Sequence, residues 1–205
     1  DLASHRSNGL IIVGASPWTI DLAGRLNELE VPNIVIDASW HRLRPARLAG
    51  IESHFGQVVS ESADETLDFA SMGYVLAATD NDAYNALVCT RFSNEFNRNA
   101  VFQMPMPAAD EHEKTGYTVT LRGLRAFSED ALYEVLLQRH FEGWRFQKTG
   151  LTAEFTFKDY REKIDDELFA TLIVRQSGAL VIDLARYKPD AGDSIINFLP
   201  SVDRG

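Results

Sequence analysis

Residues 1–104 contain no lysine, and the whole chain has a single cysteine, Cys89. The first absence excludes a P-loop from that half, because such a loop needs a lysine after its glycines to reach the phosphates of a nucleotide. The second excludes an internal disulfide and fits a reducing compartment. Cys89 stands in a helical apolar pattern beside Leu87 and Val88, the setting of a core thiol, not a nucleophile. No apolar run approaches the roughly 18 residues of a membrane helix, and no signal peptide is visible at the start. No tyrosine is followed four residues later by lysine, so the Tyr-x-x-x-Lys pair that relays a proton in short-chain dehydrogenases is missing. The histidines at 5, 41, 54, 112 and 140 lack metal-ligand spacing, and Asp110 to Glu113 around His112 reads as a solvated linker. Positive charge is scarce too. With 20 Lys and Arg against 30 Asp and Glu, the net charge of -10 excludes nucleic acid, whose binding rests on phosphate neutralisation.

What is present is an ordinary globular composition, 45% apolar and 24% charged over 205 residues, enough for one standard domain and a smaller one. Leu10 to Val13 is an apolar strand ending on Gly14, a helical pattern follows from Pro17, and a second apolar run ends on Asp37. That is the layout of a dinucleotide-binding βαβ unit. It departs from the G-x-G-x-x-G motif because Ser16 and Thr19 stand where the second and third glycines belong.

Further along, residues 40–50 predict an arginine-rich helix, 56–59 a short strand or strand end, 65–70 an amphipathic segment, 74–78 a strand, 82–96 a helix and 100–103 a strand. Strands separated by such helices predict a Rossmann-like, doubly wound parallel sheet over residues 1–104. Prolines and then charge mark a linker at 105–116. Beyond it, residues 117–205 predict a smaller, mainly antiparallel α+β domain. Its elements are a strand at 117–122, a Ser-capped helix at 128–140, and strands at 144–148, 153–157, 169–174, 179–184 and 195–199. Ser177-Gly178 is read as a hairpin turn.

Ligands of doubly wound sheets lie at the carboxyl ends of the strands. Gly14 allows a diphosphate to approach the backbone, and the helix from Pro17 would aim its N–H groups and positive dipole end at that anion. The Ser16 and Thr19 hydroxyls can bond a phosphate but narrow the gap that glycines leave. Trp18 either packs over a nucleotide or covers the helix end. Asp37 suits ribose hydroxyls, whereas Arg42, Arg44 and Arg47 serve either a phosphate or a solvated helix face. A bound nucleotide and an empty, remodelled cleft both fit these residues.

The segment Ala78-Thr79-Asp80-Asn81-Asp82-Ala83-Tyr84-Asn85 resembles the T-x-x-D-x-x-N signature of the RCK N-terminal domain, also called TrkA-N. With Gly14, Asp37 and Gly56 in register, the resemblance covers roughly residues 10–103. The chain also resembles the soluble tail of NhaP-type sodium/proton antiporters. The residues that carry this are Trp40 with Arg47 to Ile51, Ser60-Glu61, Asn81-Asp82 with Asn85 to Leu87, Gln103 to Pro105, and Leu151-Thr152 with Glu154-Phe155. The resemblance implies a non-catalytic regulatory domain on the cytoplasmic side of the inner membrane, homodimeric, following a membrane transport domain upstream of Asp1. It implies NAD(H), an adenine nucleotide or no ligand. The candidate binding residues are Gly14, Ala15, Ser16, Pro17, Trp18 and Thr19 at the first turn, Asp37, Ala38 and Ser39 after the second strand, Gln57 after the third, and Thr79 and Asp80 after the fourth. Gln57 departs from the family, where an acid follows the glycine, and Asn85 is expected to fix the turn after the fourth strand. An NAD-dependent oxidoreductase and an interaction module with an empty cleft are the competing readings.

Overall fold

In the computed structural model, which describes residues 8–59, 69–108 and 121–201, the apolar runs of the first half become parallel strands. They are β1 (Gly9–Val13), β2 (Asn33–Asp37), β3 (Ser53–Phe55), β4 (Met72–Ala77), β5 (Val101–Gln103) and β6 (Leu124–Arg125). Among the described residues these form a six-stranded sheet in the order β3-β2-β1-β4-β5-β6, with every neighbouring pair parallel. The strand order reverses at β1 and β4, which opens a crevice above their carboxyl ends. Both β1 and β2 are buried along their whole length, as strands covered on both faces must be. Alternate residues serve opposite faces. Leu10, Ile12 and Val35 join the core under helices α1 (Pro17–Glu28) and α2 (Trp40–Leu48), while Ile11, Val13 and Ile36 pack with α3 (Asp82–Phe92).

The second unit contains α4 (Tyr133–Phe141), β7 (Trp144–Gly150), α5 (Phe157–Lys163), β8 (Thr171–Val174), β9 (Leu180–Val181) and β10 (Ser194–Pro200). Its four strands pair antiparallel in the order β7-β10-β8-β9. The β8–β9 turn is the hairpin that Ser177-Gly178 predicts, with Gly178 at φ 86°. Rossmann-like parallel sheet and antiparallel α+β unit thus both stand as the sequence indicates.

Several element boundaries differ from the sequence reading. The third strand is Ser53–Phe55, not 56–59: the Gly56 amide makes the last ladder bond to β2, on the Asp37 carbonyl at 3.0 Å, and beyond it the chain leaves the sheet. Helix α3 stops at Phe92, with Ser93 as its C-cap. Helix α4 starts at Tyr133, not at Ser128: the Ser128 carbonyl closes a separate turn on the Ala131 amide at 3.1 Å, and Leu132 takes the cap position. Residues 153–157 are not a strand: Thr156 and Asp159 form a reciprocal capping box that starts α5. Segments 60–68 and 109–120 lie outside the described residues, so the amphipathic stretch at 65–70, most of the linker and most of the strand at 117–122 do too. Leu121 and Arg122 belong to no strand, and β6 follows them to extend the first sheet past the linker.

One continuous core joins the two units. It runs from β1 and β2 through Trp18, Leu22 and Leu26 of α1 to Leu136 of α4 and to Phe146, Leu172, Ile196 and Phe198 of the second sheet. Trp18 is fully buried there, 5.9 Å from the Tyr133 ring and 6.5 Å from that of Phe146. Beside it Asp21 accepts a bond from the Phe146 amide at 2.7 Å; burial pushes the Asp21 carboxyl up, against the lowering effect of that bond. The other face of the second sheet packs Ile173 and Ile195 against Tyr160 of α5.

At the start of β10, Asp193 accepts bonds from the Tyr187 hydroxyl at 2.7 Å and from the Asp190 and Gln176 amides at 2.9 Å each. Burial acts to raise this carboxyl, but the donors outweigh it and hold it below its ordinary 3.8. A depressed folded-state value stabilises the fold above the unfolded value and is lost as pH falls through the folded one. Acid titration of stability should therefore show a component below about pH 4 that Asp193→Asn removes, read from urea midpoints across pH. Asp21→Ala strands the Phe146 amide and should cost about 1–3 kcal/mol, whereas Asp21→Asn, which still offers an acceptor, should cost less; urea denaturation measures both.

Candidate functional site

The crevice at the strand ends is a cleft of about 190 Å3, lined by Val13 and Gly14 after β1, Ile36, Asp37 and Ala38 after β2, Arg42 of α2, Gly56 and Gln57 after β3, and Thr79, Asp80, Asn81 and Tyr84 after β4. Of the residues singled out in the sequence, Gly14, Asp37, Ala38, Gln57, Thr79 and Asp80 meet here. Ala15, Ser16, Pro17, Trp18, Thr19 and Ser39 do not line it.

Gly14 is required by space and conformation together. Its φ is +118°, and a Cβ there would stand 2.4 Å from the Ala78 carbonyl oxygen. The turn after it is closed on itself. Ser16 caps α1 in a reciprocal box with Thr19: the Ser16 amide donates to Thr19 Oγ1 at 2.8 Å, and the Thr19 amide to Ser16 Oγ at 3.2 Å. Thr19 Oγ1 in turn donates to the Gly14 carbonyl at 2.8 Å. Hydroxyls thus do within the protein what phosphate oxygens do at an open glycine-rich turn. Pro17 occupies the first helical position, where its missing N–H costs nothing, and Trp18 covers the helix start from the core side.

Asp37 ties this turn to β2. Its Oδ2 accepts from the Ala15 amide at 2.9 Å, and its Oδ1 from the Ser39 amide at 2.8 Å. Each oxygen keeps a second acceptor site, so the carboxylate can still take a hydroxyl from the cleft side. Ser39 caps α2 through the Arg42 amide at 3.3 Å. Across the cleft Thr79 is clamped by Asn85, whose Oδ1 accepts from the Thr79 amide at 3.0 Å and from its hydroxyl at 2.6 Å, while Asn85 Nδ2 donates to the Thr79 carbonyl at 3.0 Å. This is the turn-fixing role that the sequence reading assigns to Asn85.

The mouth is spanned by Arg42 and Asp80, Nη2 to Oδ2 at 4.0 Å, both about half exposed. Exposed pairs of this kind contribute about 0–1 kcal/mol. Arg42 is thus the arginine at the cleft; Arg47 lies over the Trp40 ring at 4.7 Å, and Arg44 is exposed. On the α1 side the Tyr133 hydroxyl of the second unit lies beside the Ser16 side chain, within the electrostatic reach of Asp80 and Arg42. Gly56 and Asn81 figure in the family resemblances but not among the candidate binding residues, and Tyr84 is an unspecified position of the T-x-x-D-x-x-N signature. Nothing local in the sequence marks Tyr133.

Cys89 is buried behind the sheet, its thiol pushed up to about 12 by burial, which is the core role its helical pattern indicates. Among the described residues no three His, Cys, Asp or Glu side chains cluster as metal ligands, and no helix is long and apolar enough to cross a membrane.

Residues 10–106 match the family model of the TrkA-N domain. The matched segment runs from β1 to just past β5 and holds every residue lining the cleft; β6 and the second unit follow it. Among solved structures the chain is similar to the NAD(P)-binding domain of an exopolyphosphatase-related protein from Archaeoglobus fulgidus, at 16% identity over 66% of this chain and 98% of that one, with a TM-score of 0.46. It is also similar to the GsuK channel bound to NAD, at 13% identity over 97% of this chain and 38% of that one, TM-score 0.45. The GsuK RCK domain gives 14% identity, 97% and 46% coverage, and a TM-score of 0.45. The chain therefore spans less than half the length of either GsuK chain. No curated protein matches it.

Replacing Asp37 by Ala leaves the Ala15 and Ser39 amides without their acceptor and should lower stability by about 2 kcal/mol or more, measured by urea denaturation with no ligand present. Asp37→Asn should also destabilise, because its NH2 must face one of the two donors.

Proposed function

We propose that this chain is a non-catalytic regulatory module that binds an adenine nucleotide at the carboxyl edge of its parallel sheet and biases cation transport by a membrane domain. The observation that carries the reading is the cleft itself: Gly14, Asp37, Gln57 and Thr79 come from four separate strand ends to one concavity at the strand-order reversal of a TrkA-N segment. Asp37 retains acceptor sites for ribose hydroxyls, the Tyr84 ring offers a surface for a base, and Arg42 is the cation available to a phosphate. The ionisable groups of the lining are Asp37, Arg42, Asp80 and Tyr84, with no histidine, cysteine or lysine to serve as a general base near neutrality or as a nucleophile. That supports binding over catalysis.

The transport partner in this proposal is a monovalent cation/proton antiporter of NhaP type, preceding Asp1 in the same polypeptide, with the module at the cytoplasmic membrane face as a homodimer. The residues that resemble the antiporter tails, from Trp40 and Arg47–Ile51 to Leu151-Thr152, support it. Regulation then follows from placement. The cleft abuts α1, and α1 packs against α4 and β7 of the second unit, so a ligand that prefers one arrangement of the two units shifts their equilibrium by its difference in affinity and no more.

Calorimetry with adenosine, AMP, ATP, NAD and NADH tests the reading. Binding of at least one, without turnover of NADH in the presence of acceptors, is the expected result; no heat from any of them sinks the nucleotide reading, and steady NADH oxidation sinks the non-catalytic one. Arg42→Ala should weaken AMP by about tenfold, the size of a lost charge-assisted hydrogen bond, while leaving adenosine nearly unchanged.

A further inference from the structure

A dinucleotide is a poor fit to this cleft. Dinucleotides in such folds lay their diphosphate across the first strand-to-helix turn, on the helix N-terminus, to carry the second nucleoside past the strand-order reversal. Here the amides of Ala15, Ser16 and Thr19 already have protein acceptors. The cleft stops at Gly14 and does not extend over Ser16.

The group beside the α1 start belongs to the second unit. Tyr133 stands edge-on to Trp18 at 5.9 Å, with a ring interplanar angle of 64°, and its hydroxyl lies beside the Ser16 side chain. We infer that Tyr133 is a specificity-determining residue: its ring fills the diphosphate passage over Ser16, so the site takes an adenine mononucleotide whose phosphate ends at Arg42 and rejects NAD(H). The inference rests on the nucleotide reading proposed above. Up to the Gly14 edge the cleft meets both ligands in the same way, against Asp37, Gln57 and Arg42. Discrimination begins only where a second phosphate would have to cross Ser16.

The experiment is calorimetry of AMP and NADH against the full chain and three variants, with circular dichroism to verify folding. The native chain should bind AMP at least tenfold tighter than NADH. Tyr133→Ala should reduce that ratio by tenfold or more, and Tyr133→Leu, which keeps an apolar contact with Trp18 but cannot reach Ser16, should reduce it as well if the alanine variant fails to fold. Tyr133→Phe should retain the discrimination, because the ring does the filling. Equal AMP and NADH affinities in the native chain overturn the inference and leave the nucleotide reading standing, and so does an unchanged ratio in the folded Ala or Leu variant. Absence of any adenine-ligand binding to the native chain overturns both.

Discussion

Helix α1 is covered on two sides, by the parallel sheet beneath it and by α4 and the second sheet above, and the burial of Trp18 between them holds the two units in one core. Full burial of a large aromatic side chain contributes on the order of 3 kcal/mol, and its contacts with Tyr133 and Phe146 add specific ring geometry. The Asp21 bond to the Phe146 amide repeats the same junction in polar form. With Trp18 directed into that core, the helix start it covers is a structural joint that begins where the cleft ends, at Gly14.

The chemistry of the turn follows from this position. An open glycine-rich turn leaves its amides for phosphate oxygens. In this protein Ser16, Thr19 and Asp37 supply oxygens of their own, and Gly14 is retained because the Ala78 carbonyl approaches it too closely for any Cβ. The βαβ frame survives while its anion-binding capacity is largely used internally. What remains open lies on the β2–β3 side, where Asp37, Gln57 and Tyr84 face a small cleft and Arg42 stands at its rim. Asp80 faces that arginine across the mouth, so in the proposed reading a phosphate would take Arg42 from a partner that holds it only weakly.

Coupling between ligand and second unit needs no long pathway. Tyr133 belongs to α4, packs on Trp18 and lies beside the Ser16 side chain, two residues past the Gly14 edge of the cleft. In the proposed reading a ligand in the cleft acts on the docking of the two units through the Gly14 turn that starts α1, and its leverage is no larger than its differential affinity for their arrangements.

Local pattern was enough for the parallel half: the alternation of apolar runs with helical segments, the glycine at the end of β1, the acid at the end of β2 and the absence of lysine each act through neighbours in sequence or through strand period. Gly14, Asp37, Gln57, Thr79 and Asp80 were legible as cleft residues for the same reason, since a strand's carboxyl end can be located from its apolar run. The errors had two sources: β6 was recruited to the sheet edge by pairing with β5, a tertiary effect, whereas the strand expected at 153–157 gave way to a local one, the Thr156–Asp159 box that starts α5. By itself, then, the sequence determined the parallel sheet, the place of the cleft residues at its carboxyl edge and the absence of a P-loop lysine. Only the tertiary structure decided that the Ala15 amide is bonded by Asp37 and that Tyr133 stands at the α1 start, because both join groups from distant segments, whereas the Ser16–Thr19 box closes within one turn of the chain.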